Sequence, residues 1–345
     1  MGRLIAHSVN SRIVMRAVFH SHVLHVVALA GATVALLEIL RRKYRRKNNP
    51  RTVVKDMKMI NSPWLSRLEV ATALALQAGQ AMLEATSVDV SHKGRHDLVT
   101  ETDRSNEALI YRGLMAAFPS DCFLGEEASA ERGGIPSELP AEDLTWIVDP
   151  IDGTTNFVHG FPVTCVSIGL ARGEELLVGV VYNPMTRELY QGVKGGGAWL
   201  NGERLTASKT TDLDQAIVVT EYSYLREEES LKRMMESTGR ITCRSRAVRQ
   251  TGCGAMDLCF LARGSIDAIY GGIPGVWKPW DWAAGVLIAR EAGAVVSNGD
   301  GEDFRLMGRT VVAAATPALS DSLVKLLVAA PHLSVEQPSS LPSST

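Results

Sequence analysis

The stretch that most constrains this chain is residues 149–157, Asp-Pro-Ile-Asp-Gly-Thr-Thr-Asn-Phe. Trp146, Ile147 and Val148 precede it as an apolar, partly β-branched run that reads as a buried strand. Two carboxylates, Asp149 and Asp152, stand at the end of that strand with Pro150 between them. Gly153, the hydroxyls of Thr154 and Thr155, and Asn156 follow. Proline fixes φ and glycine permits φ > 0, so a sharp turn is expected here. Such a turn aims both carboxylates and the Ile151 carbonyl at one point. Hard divalent cations take this all-oxygen set, and Mg²⁺ fills its remaining positions with water and substrate phosphate. A turn with capping aspartates accounts for a lone Asp-Gly. It does not account for the whole string with Val158-His159-Gly160-Phe161-Pro162 behind it.

At 345 residues the chain exceeds one average domain and predicts two closely packed subdomains. It is 46% hydrophobic and 21% charged, enough to bury a large core. The net charge of −2 hides an asymmetry: residues 1–50 hold nine Lys or Arg against one Glu, leaving −10 on the rest. An acidic body argues against nucleic-acid binding. The five cysteines are odd in number and lack Cys-x-x-Cys spacing. They suggest neither a zinc site nor a disulfide framework, and a reducing compartment fits. Cys253, in a glycine-rich turn, reads as a packed thiol, with a reactive thiol as the alternative.

Residues 1–60 form an N-terminal extension. Residues 1–22 carry Arg3, Arg12 and Arg16 with Ser, His and no acid, a composition that suits a mitochondrial transit peptide. Residues 23–40 are nearly uncharged and just reach the minimum length for a membrane span. The basic run 41–47 follows, so an anchored chain would place its body on the cytoplasmic face. Anchor, organellar presequence and disordered extension stay open, and residues 48–59 read as a linker. The folded body spans 61–330, and residues 331–345 are a Pro- and Ser-rich tail expected to be disordered.

Within the body, Asn61 or Ser62 caps a helix that opens at Pro63 and runs to about residue 85. A second helix is expected over 100–118, with Ile110, Leu114 and Ala117 inward. A strand at 122–124 leads into Glu126 and Glu127, and 130–141 reads as an exposed loop. Strands follow at 163–170, 176–182, 188–193, 216–220, 266–270, 294–297 and 310–315. Helices fall at 227–235, 252–262, 282–292 and 317–329. Gly195-Gly196-Gly197 lacks the setting of a dinucleotide fingerprint and reads as a tight bend. Gly252, Cys253 and Gly254 open a helix whose backbone N–H groups suit an anion. Helix alternating with antiparallel-looking strands implies a layered α/β or α+β body.

The 149–157 string resembles the signature of the inositol monophosphatase family, Mg²⁺-dependent and Li⁺-sensitive phosphomonoesterases. Three further segments agree in order: residues 97–103 (Asp-Leu-Val-Thr-Glu-Thr-Asp), Gly125-Glu126-Glu127, and residues 280–285 (Trp-Asp-Trp-Ala-Ala-Gly). The resemblance covers about residues 61–315 and implies a five-layer αβαβα sandwich and a homodimer. Phosphate monoester hydrolysis needs a phosphoryl group held while water attacks in line, with metal ions supplying most of the assistance. By the resemblance, Glu126, Asp149 and the Ile151 carbonyl hold a first metal, and Asp149, Asp152 and Asp281 a second. Glu126 also leans on a third, loosely held ion. Glu126 and Thr154 orient and deprotonate the nucleophilic water, and Asp103 bonds the threonine. Glu126, Ile151, Asp152, Gly153, Thr154, Gly252, Cys253, Gly254 and Asp281 would line the phosphate. Lys93 loosely matches an active-site-loop lysine.

The substrate is expected to be a small phosphorylated polyol or sugar, myo-inositol 1-phosphate first. Histidinol phosphate, a sugar 1-phosphate, fructose 1,6-bisphosphate and adenosine 3′,5′-bisphosphate are alternatives within the superfamily. A non-catalytic tethered scaffold is the alternative outside it, and such a chain should have lost a bridging carboxylate. One departure bears on the substrate. Where the family places a ring-contacting glutamate, this chain has Gly271, followed by a longer segment that contains Trp277 and Lys278. Trp277 is expected to offer an apolar wall and Lys278 a second anion contact.

Overall fold

The computed structural model describes residues 62–85, 90–92, 98–222, 224–272 and 277–328. The extension 1–60, the tail 331–345, Lys93 and residues 273–276 lie outside them, and so do the anchor, presequence and tail readings. Among the described residues no helix is long and apolar enough to cross a membrane.

The Ser62 hydroxyl accepts the Trp64 N–H at 3.3 Å, and α1 (Leu65–Glu84) starts just beyond Pro63. The hairpin β1 (Val90–His92) and β2 (Leu98–Thr100) delivers the chain to α2 (Glu101–Ala117). Thr100 and Asp103 cap that helix reciprocally, each accepting the other's backbone N–H. Next come β3 (Cys122–Gly125), α3 (Glu126–Arg132), β4 (Leu144–Asp152) and α4 (Thr154–His159). A meander follows, β5 (Cys165–Arg172), β6 (Glu175–Asn183), β7 (Glu188–Val193), β8 (Gly197–Leu200) and β9 (Glu203–Arg204). It completes a seven-stranded sheet in sequential order from β3 to β9, with only β3 and β4 parallel.

The second half alternates more. It holds β10 (Ile217–Thr220), α5 (Glu228–Thr242), β11 (Ala247–Arg249), α6 (Gly254–Ala262) and β12 (Ala268–Gly271). Then come α7 (Pro279–Glu291), β13 (Val295–Ser297), β14 (Val311–Ala314) and α8 (Pro317–Val328). The five-stranded sheet runs β11-β10-β12-β14-β13.

Side-chain alternation turns these elements into layers. On the large sheet, Trp146, Val148, Ile168 and Val180 pack under α1 and α2 with Leu68, Ile110 and Leu114. Their neighbours Ile147 and Val181 face α6 and α7, joining Leu258 and Trp282. On the small sheet, Val219, Ile269 and Ala313 face the same two helices. Val218, Ala268 and Val312 face the other way, toward Ile241 of α5 and Leu319 and Leu323 of α8. The order is helix, sheet, helix, sheet, helix, the five-layer sandwich expected from the resemblance.

The middle layer is seated on glycine. Gly169, Gly179 and Gly192 are register partners across β5, β6 and β7. A Cβ on Gly179 would stand 2.5 Å from the Ala284 carbonyl oxygen, and one on Gly169 would stand 2.9 Å from the Ala283 Cβ. The three bare positions form a trough that admits α7 to van der Waals contact with the sheet backbone.

Several expectations are corrected. The strand does not end at Val148: β4 continues through Pro150 to Asp152, with a register shift between Asp149 and Asp152. Pairing with β3 ends at Val148, so the missing Pro150 N–H leaves no partner unpaired on that side. The extra residue is absorbed as a bulge, and the turn falls at Gly153, φ 79°. Asp281 does not precede its helix but sits in the first turn of α7, because Pro279 opens it. Residues 130–132 extend α3 into the expected loop, and Leu139 of that loop is buried. The helix expected over 227–235 runs on as α5 to Thr242, with Ser237 and Ile241 buried in the added turns. Ala117 is exposed, and Phe118 stacks on Trp146 in its stead.

Candidate functional site

Carboxylates gather where β4 ends and the first turns of α2, α3, α4, α6 and α7 meet. The bulge after Val148 carries Asp149 and Asp152 on adjoining backbone. Asp149 is 2% exposed, and its Oδ1 accepts the Ile151 N–H at 3.0 Å. Asp152 Oδ2 accepts the Ala255 N–H at 2.7 Å, so the start of α6 holds this carboxylate. The Asp152 carbonyl accepts the Thr164 hydroxyl at 2.9 Å. Asp281 Oδ2 accepts the Lys278 N–H at 2.7 Å, which fixes the carboxyl at the head of α7.

Gly153 makes the turn possible. Its φ is positive, and a Cβ there would meet the Val163 carbonyl at 3.0 Å and the Gly252 carbonyl at 3.1 Å. Thr154 then opens α4. Its hydroxyl lies 3.0 Å from the Ile151 carbonyl and 3.3 Å from Asp103 Oδ1. Both are acceptors, so the hydroxyl proton points inward and the oxygen's lone pairs remain for an outside donor. Asp103 is itself held, its Oδ2 accepting the Thr100 N–H at 2.8 Å and the Thr100 hydroxyl.

Burial first, and the neighbouring acids second, push these carboxyls up. Asp149 is raised well above the usual range by desolvation, then by Glu126, Asp152 and Asp281. Asp152 is raised to about 7 by desolvation, against which the Ala255 N–H pulls down. Asp281 is raised by desolvation and by Asp152, while the Lys278 N–H and ammonium oppose the rise. Lys278 is exposed at the rim. Four acids this close cannot all ionise without a counter-charge. An all-oxygen donor set fits hard divalent cations.

The structure thus brings Asp103, Glu126, Asp149, Ile151, Asp152, Gly153, Thr154 and Asp281 to one place. Gly252, Cys253 and Gly254 flank it, with a different use from the one expected. The Ala255 N–H is taken by Asp152, and the Gly252 N–H by Glu221 Oε1 at 2.9 Å. Cys253 is buried, its thiol 3.6 Å from Cys165 Sγ and pushed up by desolvation, which argues against a solvent-reactive thiol. Trp277 lies flat on Gly271 and Gly254: a Cβ at 271 would fall 2.7 Å from its ring, and one at 254 would fall 2.9 Å away.

Sequence reasoning missed the supports. Glu107 accepts the Glu127 and Ala128 N–H groups, each at 2.8 Å, and so anchors the first turn that presents Glu126. Its signal was present, because Asp103 and Glu107 are four apart on one helix face. Asn156 donates to the Val163 carbonyl at 2.7 Å and the Thr251 carbonyl at 2.8 Å, joining the two walls. Glu221 accepts from Thr251 as well, at 2.6 Å. No local pattern marks either residue, since their partners are distant in sequence.

The family model described as the inositol monophosphatase family matches residues 64–332. An inositol monophosphatase of Mesembryanthemum crystallinum is 41% identical over 267 residues, 77% of this chain and 97% of that protein. Inositol monophosphatase 2 of Homo sapiens is 42% identical over 270 residues, 77% of this chain and 91% of that protein. Among solved structures, the inositol monophosphatase from Anabaena (Nostoc) superposes with a TM-score of 0.66 at 28% identity. It covers 79% of this chain and 99% of that one.

Proposed function

Because the chain belongs to the inositol monophosphatase family of metal-dependent phosphoric monoester hydrolases, we propose that Mg²⁺ is its ion and myo-inositol 1-phosphate its first substrate. The observation that carries this reading is the cluster of Asp149 and Asp152, both buried, with Asp281 and Glu126, acids whose mutual repulsion cations relieve without protonating them. Glu126, Asp149, Asp152, Asp281 and the Ile151 carbonyl would hold the ions. When bound, the ions supply positive charge to the phosphoryl oxygens and acidify the attacking water.

The remaining roles belong to the chain. Thr154, its proton committed inward to Asp103 and Ile151, accepts a hydrogen bond from the water and orients it. Glu126 receives the proton. The Gly153 and Thr154 N–H groups, at the first turn of α4, face phosphate oxygens. Asp103 keeps the threonine rotamer fixed through Thr100. The Asp152–Ala255 bond keeps the second metal's ligand from swinging away.

The alcohol side of the substrate meets a different surface from a carboxylate-lined one. At Gly271 no side chain can accept a ring hydroxyl, and Trp277 fills that space. Losing a charged acceptor for a hydroxyl costs about 1.5–3 kcal/mol. Discrimination among ring phosphates is therefore shallow, with sugar 1-phosphates hydrolysed nearly as well as inositol 1-phosphate. Homodimer assembly, Li⁺ inhibition, and tethering to the cytoplasmic face of a membrane or import into an organelle through residues 1–40 complete the proposal.

The test is kcat/KM for inositol 1-phosphate against a sugar 1-phosphate, histidinol phosphate, fructose 1,6-bisphosphate and adenosine 3′,5′-bisphosphate. The expected spread between inositol 1-phosphate and the best sugar phosphate is under about tenfold. A preference above about 10³, roughly 4 kcal/mol, would mean that another residue does the work of the absent glutamate.

A further inference from the structure

Cys165 on β5 and Cys253 before α6 are 88 residues apart in sequence, yet their sulfurs stand 3.6 Å apart. Cys253 Sγ is also 3.5 Å from the Asp152 carbonyl. Ligand atoms of Cys165, Cys253 and Asp152 all lie within 4.8 Å of one another, and all three residues are buried. The spacing of the cysteines gave no hint of this, because the juxtaposition is made by the seating of α6 beside the large sheet.

Two thiolates at about 2.3 Å from a tetrahedral ion stand about 3.8 Å apart, the separation this pair already has to within a few tenths of an ångström. A disulfide would need the sulfurs to close to about 2.05 Å. The geometry therefore suits a shared ion better than a bond. Two sulfurs and one carboxylate are also a softer donor set than the all-oxygen cluster beside them, and sulfur selects thiophilic cations over Mg²⁺. Asp152 is the one member that belongs to both sets.

We propose that Cys165, Cys253 and Asp152 form a site for a thiophilic divalent cation of the Zn²⁺ class, and that filling it withdraws Asp152 from the catalytic metals and inhibits the enzyme. Each ion bound displaces two thiol protons, so M²⁺ and two S–H give the dithiolate complex and two H⁺. The inhibitory half rests on the phosphatase reading above. The binding half does not, and the two are read separately.

The probe is Cd²⁺ alone, titrated into the metal-free full-length chain under a non-thiol reductant. One equivalent should saturate a thiolate-to-metal charge-transfer band in the ultraviolet. The band should vanish in Cys165→Ser and in Cys253→Ser and persist in Cys243→Ser, whose thiol is exposed and outside the buried group. X-ray absorption of the zinc-loaded wild type should show two sulfur neighbours at about 2.3 Å. That result stands even if a serine variant fails to fold. In the phosphatase assay, the Zn²⁺ concentration for half inhibition, each variant referred to its own uninhibited rate, should rise at least about tenfold in Cys165→Ser. Zinc bound with no sulfur neighbour, or half inhibition unchanged in Cys165→Ser, would place the ion on the carboxylates alone and overturn the proposal. If charge transfer appears in a chain without phosphatase activity, the binding half stands and the function reading fails.

Discussion

At the residue scale, Thr154 separates a positioning hydroxyl from a merely structural one. Thr154→Ala should lower kcat about 10²-fold while leaving the metal requirement in place, and Thr154→Ser should restore most of the rate because the hydroxyl returns. Equal losses in both variants would mean that packing, not the hydroxyl, matters. The acids make a second test. Asp149, Asp152 and Asp281 carry folded-state values above the ordinary carboxylate range of about 3.9, Asp152 near 7. Between about pH 4 and 7 the folded chain thus binds more protons than the unfolded one, and stability falls as pH rises. Glu126, Cys165, Cys253, Glu221 and Lys278 are the other charged or titratable groups acting on them, and among these Lys278 alone is a base. The Tm of the chelated protein should fall from pH 5 to pH 8, and saturating Mg²⁺ should flatten that slope. A chelated protein that gains stability over this range would show that the acids are not crowded together. Asp149, Asp152 and the hydroxyls were legible in sequence because they are contiguous. Glu107 was legible only as the position one helical turn after Asp103, and the roles of Asn156 and Glu221 were not, because each acts on backbone groups brought to it by the fold.

At the element scale, the placement of α7 decides where Asp281 lies. The helix sits in the trough of Gly169, Gly179 and Gly192, where the nearest approach is that of Gly179 to Ala284. Gly179→Ala should destabilise by about 1–3 kcal/mol from overpacking and lower kcat, while a surface control such as Gly134→Ala, which meets nothing within 4 Å, should do neither. Urea unfolding with unchanged m-value is the readout, and an unchanged midpoint would show that the helix does not need the trough. Most strands and helices were readable from alternation and period. The errors came where local signals met long-range ones. Trp146 to Val148 reads as the whole strand, yet the ladder with β5 resumes at Asp152 through a bulge. The helix expected to end at residue 235 runs on to Thr242, where Ile241 is buried.

At the scale of the whole molecule, the five layers make one compact unit from residue 56 onward, and the sequence of residues 1–50 is basic and apolar where the rest carries a net charge of −10. A chain lacking residues 1–60 should be soluble and active, whereas the full chain should be membrane-associated or cleaved. Fractionation of cells expressing each would show it, and a full chain wholly soluble and uncleaved would remove both readings of the extension. The layer order was legible once the motifs were placed. The specificity surface was only partly so, since the sequence shows Gly271 and Trp277 but not that the indole lies against the glycine. The central claim is that the carboxylate cluster makes this chain a metal-dependent phosphomonoesterase. It is tested most directly by phosphate release from inositol 1-phosphate, comparing the chelated full-length chain before and after Mg²⁺ is restored, in the wild type and in Asp149→Asn. Activity should vanish on chelation, return with Mg²⁺, and stay at least about 10³-fold lower in the variant, whose fold is retained. Turnover that survives chelation, or a variant within tenfold of the wild type, would contradict it.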